Sequence, residues 1–329
     1  MRPFELHTPT GVGEALEVLS RHGQDAMIMA GGTDVLIQLQ QEVKIPGHVV
    51  LLKRIRGLEE VRSTDDGGMI LGAGVRLADI EKSPVIRGRY PVLAQAASHV
   101  ASPLIRHTAT LGGNLCLDNK CWYYDQTAHW KESHHLCLKA DGDICHVVKG
   151  GEICYAISNS DTAPALIALR ARVRIIGPKG ERLIPLQELY TGIGETPIAL
   201  EPNEILVEVH LLPPKPSTGS SYQRLATRGA IDFAFACAAA VAVLDPDGQT
   251  CADARIALNS VSMKPVDAVK SSEMLVGKAP SEHLFEAAAK EASKEARPFS
   301  DIEKLAGYRG KMARVLVRKA IEAAFEMAG

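Results

Sequence analysis

Ala26-Met27-Ile28-Met29-Ala30-Gly31-Gly32-Thr33-Asp34-Val35-Leu36-Ile37-Gln38-Leu39-Gln40 is the stretch around which the fold can be read. Its first five residues read as a short strand, the glycine pair interrupts it, and residues 35–40 read as a helix. A strand, a glycine pair and a helix start suit a phosphate: glycine lets the backbone approach closely, and free N–H groups at a helix N-terminus attract anions. The same residues also read as a plain tight turn in which Thr33 or Asp34 caps the helix.

On the N-terminal side, Ala15, Leu16, Val18 and Leu19 mark one apolar helical face that ends near His22-Gly23. On the other side, residues 49–52 read as a buried strand and residues 69–75 as a strand closing in a glycine turn, with helical signals over residues 78–82 and 92–100. The chain then reaches Ala109-Thr110-Leu111-Gly112-Gly113-Asn114-Leu115, a second Gly-Gly loop. Two such loops could grip a pyrophosphate from opposite sides, with the hydroxyls of Thr33 and Thr110 beside the backbone donors. Neither is a G-x-G-x-x-G or a Walker A, so the pattern does not support a Rossmann or P-loop site.

Directly after the second pair the character changes. Residues 116–154 hold five of the seven cysteines, Cys116, Cys121, Cys137, Cys145 and Cys154, among aromatic residues and histidines with no helical or strand period. Packing alone cannot easily hold such a segment, and cysteines close in sequence suggest disulfides, zinc or an iron–sulfur cluster. The N-terminus lacks the apolar core of a signal peptide and no apolar run reaches the roughly 18–20 residues that span a bilayer, so the expected compartment is the cytoplasm. Thiols stay reduced there, which favours metal or redox roles over disulfides. Four cysteines, or three with His129, His134, His135 or His146, could hold zinc in a tetrahedron, although the paired C-x₂-C knuckles of zinc modules are missing. A net charge of −2, with no long Lys/Arg run, argues against nucleic acid or an anionic membrane as the main partner.

Past the cysteines, Ser158-Asn159-Ser160-Asp161-Thr162-Ala163-Pro164 opens a helix; Asp161 either caps it or accepts a ribose or ribityl hydroxyl of a cofactor. Strands over residues 173–176 and 182–184 join through Gly177-Pro178-Lys179-Gly180, and residues 205–211 alternate as a half-buried strand. Leu212-Pro213-Pro214-Lys215-Pro216 is the best linker candidate. Beyond it, three strands (221–225, 234–244, 254–258) followed by three helices (266–275, 282–296, 312–327) predict a separate α+β domain. No residue pattern marks a catalytic acid or nucleophile, and G-x-S-x-G is missing.

Ala30-Gly31-Gly32-Thr33-Asp34 and Thr110-Leu111-Gly112-Gly113-Asn114 resemble the two phosphate-binding loops of the FAD-binding medium subunit of molybdenum hydroxylases, the xanthine oxidase and carbon monoxide dehydrogenase group. The likeness extends over nearly the whole chain, through Ser160-Asp161-Thr162-Ala163-Pro164-Ala165-Leu166 and Tyr222-Gln223-Arg224 to Asp232-Phe233. That family passes from its Gly-Gly-Asn loop to its Ser-Asp segment within about a dozen residues; here roughly forty intervene, far beyond ordinary loop lengths. An insertion at this place, with cysteines spaced like Cys121, Cys137, Cys145 and Cys154, resembles the flavoprotein subunit of 4-hydroxybenzoyl-CoA reductase, in which four thiolates hold an additional [4Fe-4S] cluster.

The resemblance implies an α+β chain: an N-terminal FAD-binding subdomain (1–57), a second one (58–215) with the iron–sulfur insertion (116–158), and a C-terminal α+β domain (216–329). It implies FAD contacts at Ala30, Gly31, Gly32, Thr33, Asp34, Thr110, Gly112, Gly113, Asn114, Asp161 and Arg224, the last standing where relatives often carry lysine. Tyr190 stands where many relatives have phenylalanine. Cys121, Cys137, Cys145 and Cys154 become the cluster ligands, while Cys116, Cys237 and Cys251 are buried structural thiols. The implied partners are a molybdopterin-containing large subunit, a [2Fe-2S] small subunit and an external carrier such as ferredoxin, in a dimer of heterotrimers that bears the substrate site elsewhere. Alternative readings are the FAD subunit of another molybdenum hydroxylase acting on an aromatic or N-heterocyclic substrate, or a flavoprotein whose cysteine loop is a structural zinc site.

Overall fold

The computed structural model describes residues 1–299 and 306–329, whose strands form three sheets. The first contains β1 (Glu5–His7), β2 (Ala26–Met29) and β3 (His48–Leu51), with helices α1 (Val12–His22) and α2 (Val35–Gln40) between them. Its order is β1-β3-β2 and both pairings are parallel, which is why helices must carry the chain back between strands. Ala15 and Leu19 of α1 are buried against Val50 in a small core that also takes Ile205 and Val207 from a later strand.

The second sheet runs in the order β4-β5-β8-β6-β7, antiparallel throughout. β4 (Val61–Ser63) and β5 (Met69–Gly72) lead into five short helices: α3 (Leu77–Lys82), α4 (Pro84–Arg89), α5 (Pro91–His99), α6 (Pro103–Arg106) and α7 (Leu111–Leu115). Proline opens three of them, with its fixed φ already suited to the first helical position, and Ser83 and Ser102 cap α4 and α6. The cysteine insertion, with one short helix α8 (Ala128–Ser133), leads to the wholly buried α9 (Thr162–Ala168). The hairpin β6 (Arg172–Gly177) and β7 (Gly180–Pro185) and the strand β8 (Ile205–Leu211) complete the sheet.

The third layer is the antiparallel sheet β12-β11-β10-β9, built from β9 (Thr218–Leu225), β10 (Ala236–Leu244), β11 (Cys251–Asn259) and β12 (Val266–Asp267). Three helices follow, α10 (Val269–Glu273), α11 (Glu282–Ala296) and α12 (Ala306–Ala328). Alanines at 236, 238, 240 and 242 of β10 share a core with Ala320 and Ala324 of α12. Small side chains let the helix come close, and a Cβ on Gly219 of β9 would stand 1.9 Å from the Ala324 carbonyl. Among the described residues no helix is long and apolar enough to cross a membrane.

The α+β expectation holds, with corrections in detail. The last sheet has four strands rather than three: Val266 and Asp267 pair with Leu258 and Ala257, so the helix expected from residue 266 begins only at Val269. Strand β8 is buried except at His210 instead of half-buried, because it lies between β5 and β6. A register shift between Arg174 and Ile175 lets β8 send Ile205 and Val207 into the first core and Val209 and Leu211 into the second.

Candidate functional site

The two glycine segments meet. Gly31 is pressed so closely on the other segment's approach that a Cβ there would stand 2.1 Å from the Thr108 carbonyl oxygen, and Gly32 holds φ +73. Sequence reading placed Gly112 and Gly113 in a loop, whereas they lie in the first turn of α7, where Thr110 Oγ1 accepts from Gly113 N at 3.2 Å. Gly112 packs on Ala73, and a Cβ on the exposed Gly113 would lie 4.0 Å from Ala30 Cβ. Bare backbone from one segment therefore faces the other across a narrow gap, which fits the phosphate end of a dinucleotide.

Neither Thr33 nor Asp34 caps α2. Asp34 turns its carboxylate sideways, accepting from Gln38 Nε2 at 2.6 Å and from Lys120 Nζ at 2.5 Å. Asn114 Oδ1 accepts from Ser160 Oγ (2.8 Å), Thr162 Oγ1 (2.6 Å) and Thr162 N (3.2 Å), which fastens α7 to α9. The capping reading of Asp161 also gives way: its side chain makes no cap, and Ser160 Oγ accepts from Ala163 N instead. Asp161 Oδ1 accepts from Tyr222 Oη at 2.7 Å and Arg224 Nε at 3.0 Å, a buried pair joining α9 to β9. Burial pushes the Asp161 carboxyl up, while Arg224 and Tyr222 pull against that rise. The extra hydroxyl of Tyr190 is buried and donates to the Leu115 carbonyl at 3.1 Å.

The insertion is closed at its base by reciprocal backbone bonds between Lys120 and Ile157, both 2.9 Å. Asn119 adds bonds to the Ala156 and Met263 carbonyls. Cys121, Cys137, Cys145 and Cys154 line one small cavity, walled by Tyr124, Leu138, Ile144 and Val147. Lys139 crosses beside it to Asp118 (2.5 Å) and the Gly194 carbonyl (2.7 Å). Burial is the main force pushing the Cys121 thiol up to about 11 and Cys154 up to about 12. Cys116 is also pushed up by burial, to about 12, but packs on the second core rather than in the cavity. Cys237 and Cys251 lie buried in β10 and β11.

Four cysteines, Cys154 buried and Cys121, Cys137 and Cys145 partly exposed, line a mostly apolar cavity and form a donor set for soft metals. A single zinc ion at about 2.3 Å from each sulfur would bring the sulfurs to within about 4 Å of one another. Among the described residues, no three cysteines, histidines or carboxylates of the insertion have ligand atoms all within 4.8 Å. The loop histidines are engaged locally: His135 with Asp143, His146 with the His135 carbonyl, and His134 with the Trp130 carbonyl. Trp122 meets Trp130 and the cavity-lining Tyr123 edge to face at centroid distances of 5.2 and 5.3 Å.

Several supporting residues carried no sequence signal. Gly194 and Glu195 lie far along the chain from Cys154, yet Glu195 Oε1 accepts from Cys154 N at 2.8 Å and Gly194 N donates to the Cys154 carbonyl. Lys120 adjoins Cys121 and could have been suspected from that position alone.

Residues 2–215 match the family described as "FAD binding domain in molybdopterin dehydrogenase", and residues 221–324 match "CO dehydrogenase flavoprotein C-terminal domain". The chain is 31% identical over 326 residues to the carbon monoxide dehydrogenase medium chain of Hydrogenophaga pseudoflava, covering 98% of this chain and 97% of that one. It is 34% identical over 249 residues to the aldehyde oxidoreductase FAD-binding subunit of Escherichia coli K12, covering 73% and 76%. Among solved structures, carbon monoxide dehydrogenase from Hydrogenophaga pseudoflava matches with a TM-score of 0.82 at 28% identity, over 99% of both chains. Quinoline 2-oxidoreductase from Pseudomonas putida 86 matches with a TM-score of 0.78 at 25% identity, over 99% of this chain and 98% of that one.

Proposed function

The chain belongs to the family of FAD-binding medium subunits of molybdenum hydroxylases, and from that membership we propose that it is the electron-transfer flavoprotein subunit of an oxidoreductase of the 4-hydroxybenzoyl-CoA reductase kind. In this reading the facing glycine segments, Ala30 to Asp34 and Thr110 to Asn114, hold FAD. Cys121, Cys137, Cys145 and Cys154 hold a [4Fe-4S] cluster. The observation that carries the reading is the convergence of four cysteines, from one insertion, on a single cavity.

FAD supplies both one- and two-electron chemistry, and a thiolate-held cluster supplies one-electron steps. The protein's part is positioning. Lys120 ties the insertion to Asp34 of the first glycine segment; Asn114 locks the second segment to α9; Asp161 and Arg224 bind the FAD-binding layer to the C-terminal sheet. Tyr124, Leu138 and Ile144 keep the cavity walls apolar, which limits water around the sulfurs. The organic substrate is transformed on a molybdopterin-containing large subunit, with a [2Fe-2S] small subunit between, in a dimer of heterotrimers. The cysteine insertion exchanges electrons with an external carrier such as ferredoxin.

Anaerobically purified protein is expected to contain about four iron and four sulfide beyond its FAD. Cys137→Ser and Cys145→Ser remove the cluster's EPR signal and Cys116→Ser keeps it. Stoichiometric zinc without sulfide, or loss of the signal only in Cys116→Ser, would overturn the assignment.

A further inference from the structure

Apart from the flavin segments and the cysteine loop, three histidines from three different elements converge at the edge of the first layer. His7 ends β1, His22 ends α1 and His48 begins β3. The strand register places Glu5 opposite His48, and Glu5 shares a face of β1 with His7. His7 Nε2 and His48 Nδ1 are 3.1 Å apart, and the His22 and His48 ring centroids lie 3.5 Å apart with the rings tilted by 33°. One nitrogen from each ring lies within 4.8 Å of the other two. Glu5 adds one carboxylate oxygen 3.4 Å from His48 Nδ1 and the other 3.8 Å from His7 Nε2.

We propose that Glu5, His7, His22 and His48 form a structural binding site for a divalent transition-metal ion, zinc by its donor set. Nitrogen and carboxylate ligands of tetrahedral zinc sit about 2.0–2.1 Å from the ion and hence about 3.3–3.5 Å from one another. The 3.1 and 3.4 Å separations already approach that arrangement.

The position says what the ion does. Ala26, which begins β2, is level with His48, so Gly31 lies five residues further, roughly 16 Å along the strand. The ion is thus remote from the flavin segments and touches no redox group. It clips the end of α1 to β1 and β3, in the layer with the smallest core. Small units of this kind gain from such staples.

The test uses the full chain with its own cofactors, stripped of loosely bound metal by a chelator and titrated with Co²⁺ and Zn²⁺. One Co²⁺ should bind with the d–d absorption of a four-coordinate nitrogen–oxygen site and without a thiolate charge-transfer band, and Zn²⁺ should raise Tm. His22→Asn and His48→Ala should weaken Zn²⁺ binding by about 100-fold or more, above the 10–100-fold that outer partners alone contribute. Glu5→Gln should weaken it less. Cys137→Ser should leave this site intact, and the histidine variants should keep their flavin and iron. Absence of a thiolate-free cobalt spectrum, or unchanged zinc affinity in both His22→Asn and His48→Ala, overturns the proposal.

Discussion

Lys120 Nζ lies 2.5 Å from Asp34 Oδ1, so a residue at the base of the cysteine insertion is fastened to the residue that ends the first glycine segment. Through its backbone the same lysine closes the loop base with Ile157. Asp34 in turn holds Gln38 of α2. A single partly buried ion pair thereby links the cysteine loop to the first glycine segment.

Lys120→Met and Asp34→Asn should each destabilise the protein by about 1–2 kcal/mol, and a double-mutant cycle should return a coupling of about 1 kcal/mol. Denaturant unfolding followed by flavin fluorescence measures both quantities. Both single variants should also release flavin faster on dilution. A coupling indistinguishable from zero would mean that the pair joins the two segments in geometry only.

Gly31→Ala should abolish flavin retention. Its Cβ would meet the Thr108 carbonyl at 2.1 Å, a backbone atom that cannot swing away, so the two glycine segments must part. Gly88→Ala, in α4 where a Cβ meets nothing within 4 Å, is the control and should keep its full flavin content and gain slightly in helix stability, by up to about 1 kcal/mol. The ratio of flavin to protein absorbance decides between them.

The glycine segments were legible because each lies within one short run where strand, glycine and helix signals adjoin. The cysteines were legible because they crowd one insertion. What their neighbours do was not: Asp161 looked like a helix cap, but Arg224 and Tyr222, more than sixty residues on, claim its carboxylate. Strand β8 reads as half-buried by alternation, yet its place between two strands and the register shift opposite it bury both faces. The short strands β1 and β4 escaped notice since three-residue strands carry no period. The histidine site shares that cause, because β1 places two of its four residues.

Glu208 gives a pH-dependent prediction. Burial would raise its carboxyl, but hydrogen bonds from Arg174 (2.7 Å), Arg62 and His210 (2.9 Å) outweigh that and hold it at about 2, against an ordinary 4.5. A depressed carboxyl stabilises the fold above its unfolded value, and the stabilisation is lost as pH falls from about 4.5 toward 2. The whole effect is at most about 3 kcal/mol. Glu208→Gln should be less stable than the parent at neutral pH and should show a flatter stability profile across that acid window. Equal slopes in the two proteins would place the acid sensitivity elsewhere.

Gly194 offers a way to disturb one proposed ligand from outside the insertion. A Cβ at this position would stand 2.3 Å from the Cys154 carbonyl oxygen and 2.8 Å from Cys154 Sγ, while Lys139 Nζ holds the Gly194 carbonyl at 2.7 Å. The added methyl cannot retreat without breaking the Lys139 contact, so the cysteine must move. Because four thiolates must converge to hold a cluster, displacing one sulfur should lower iron and sulfide content together and make the remaining cluster quicker to bleach in air. Flavin should stay, since Gly194 touches neither glycine segment. Gly194→Ala protein with parental iron and sulfide, but a lowered Tm, would show that Cys154 bears on folding and not on the cluster.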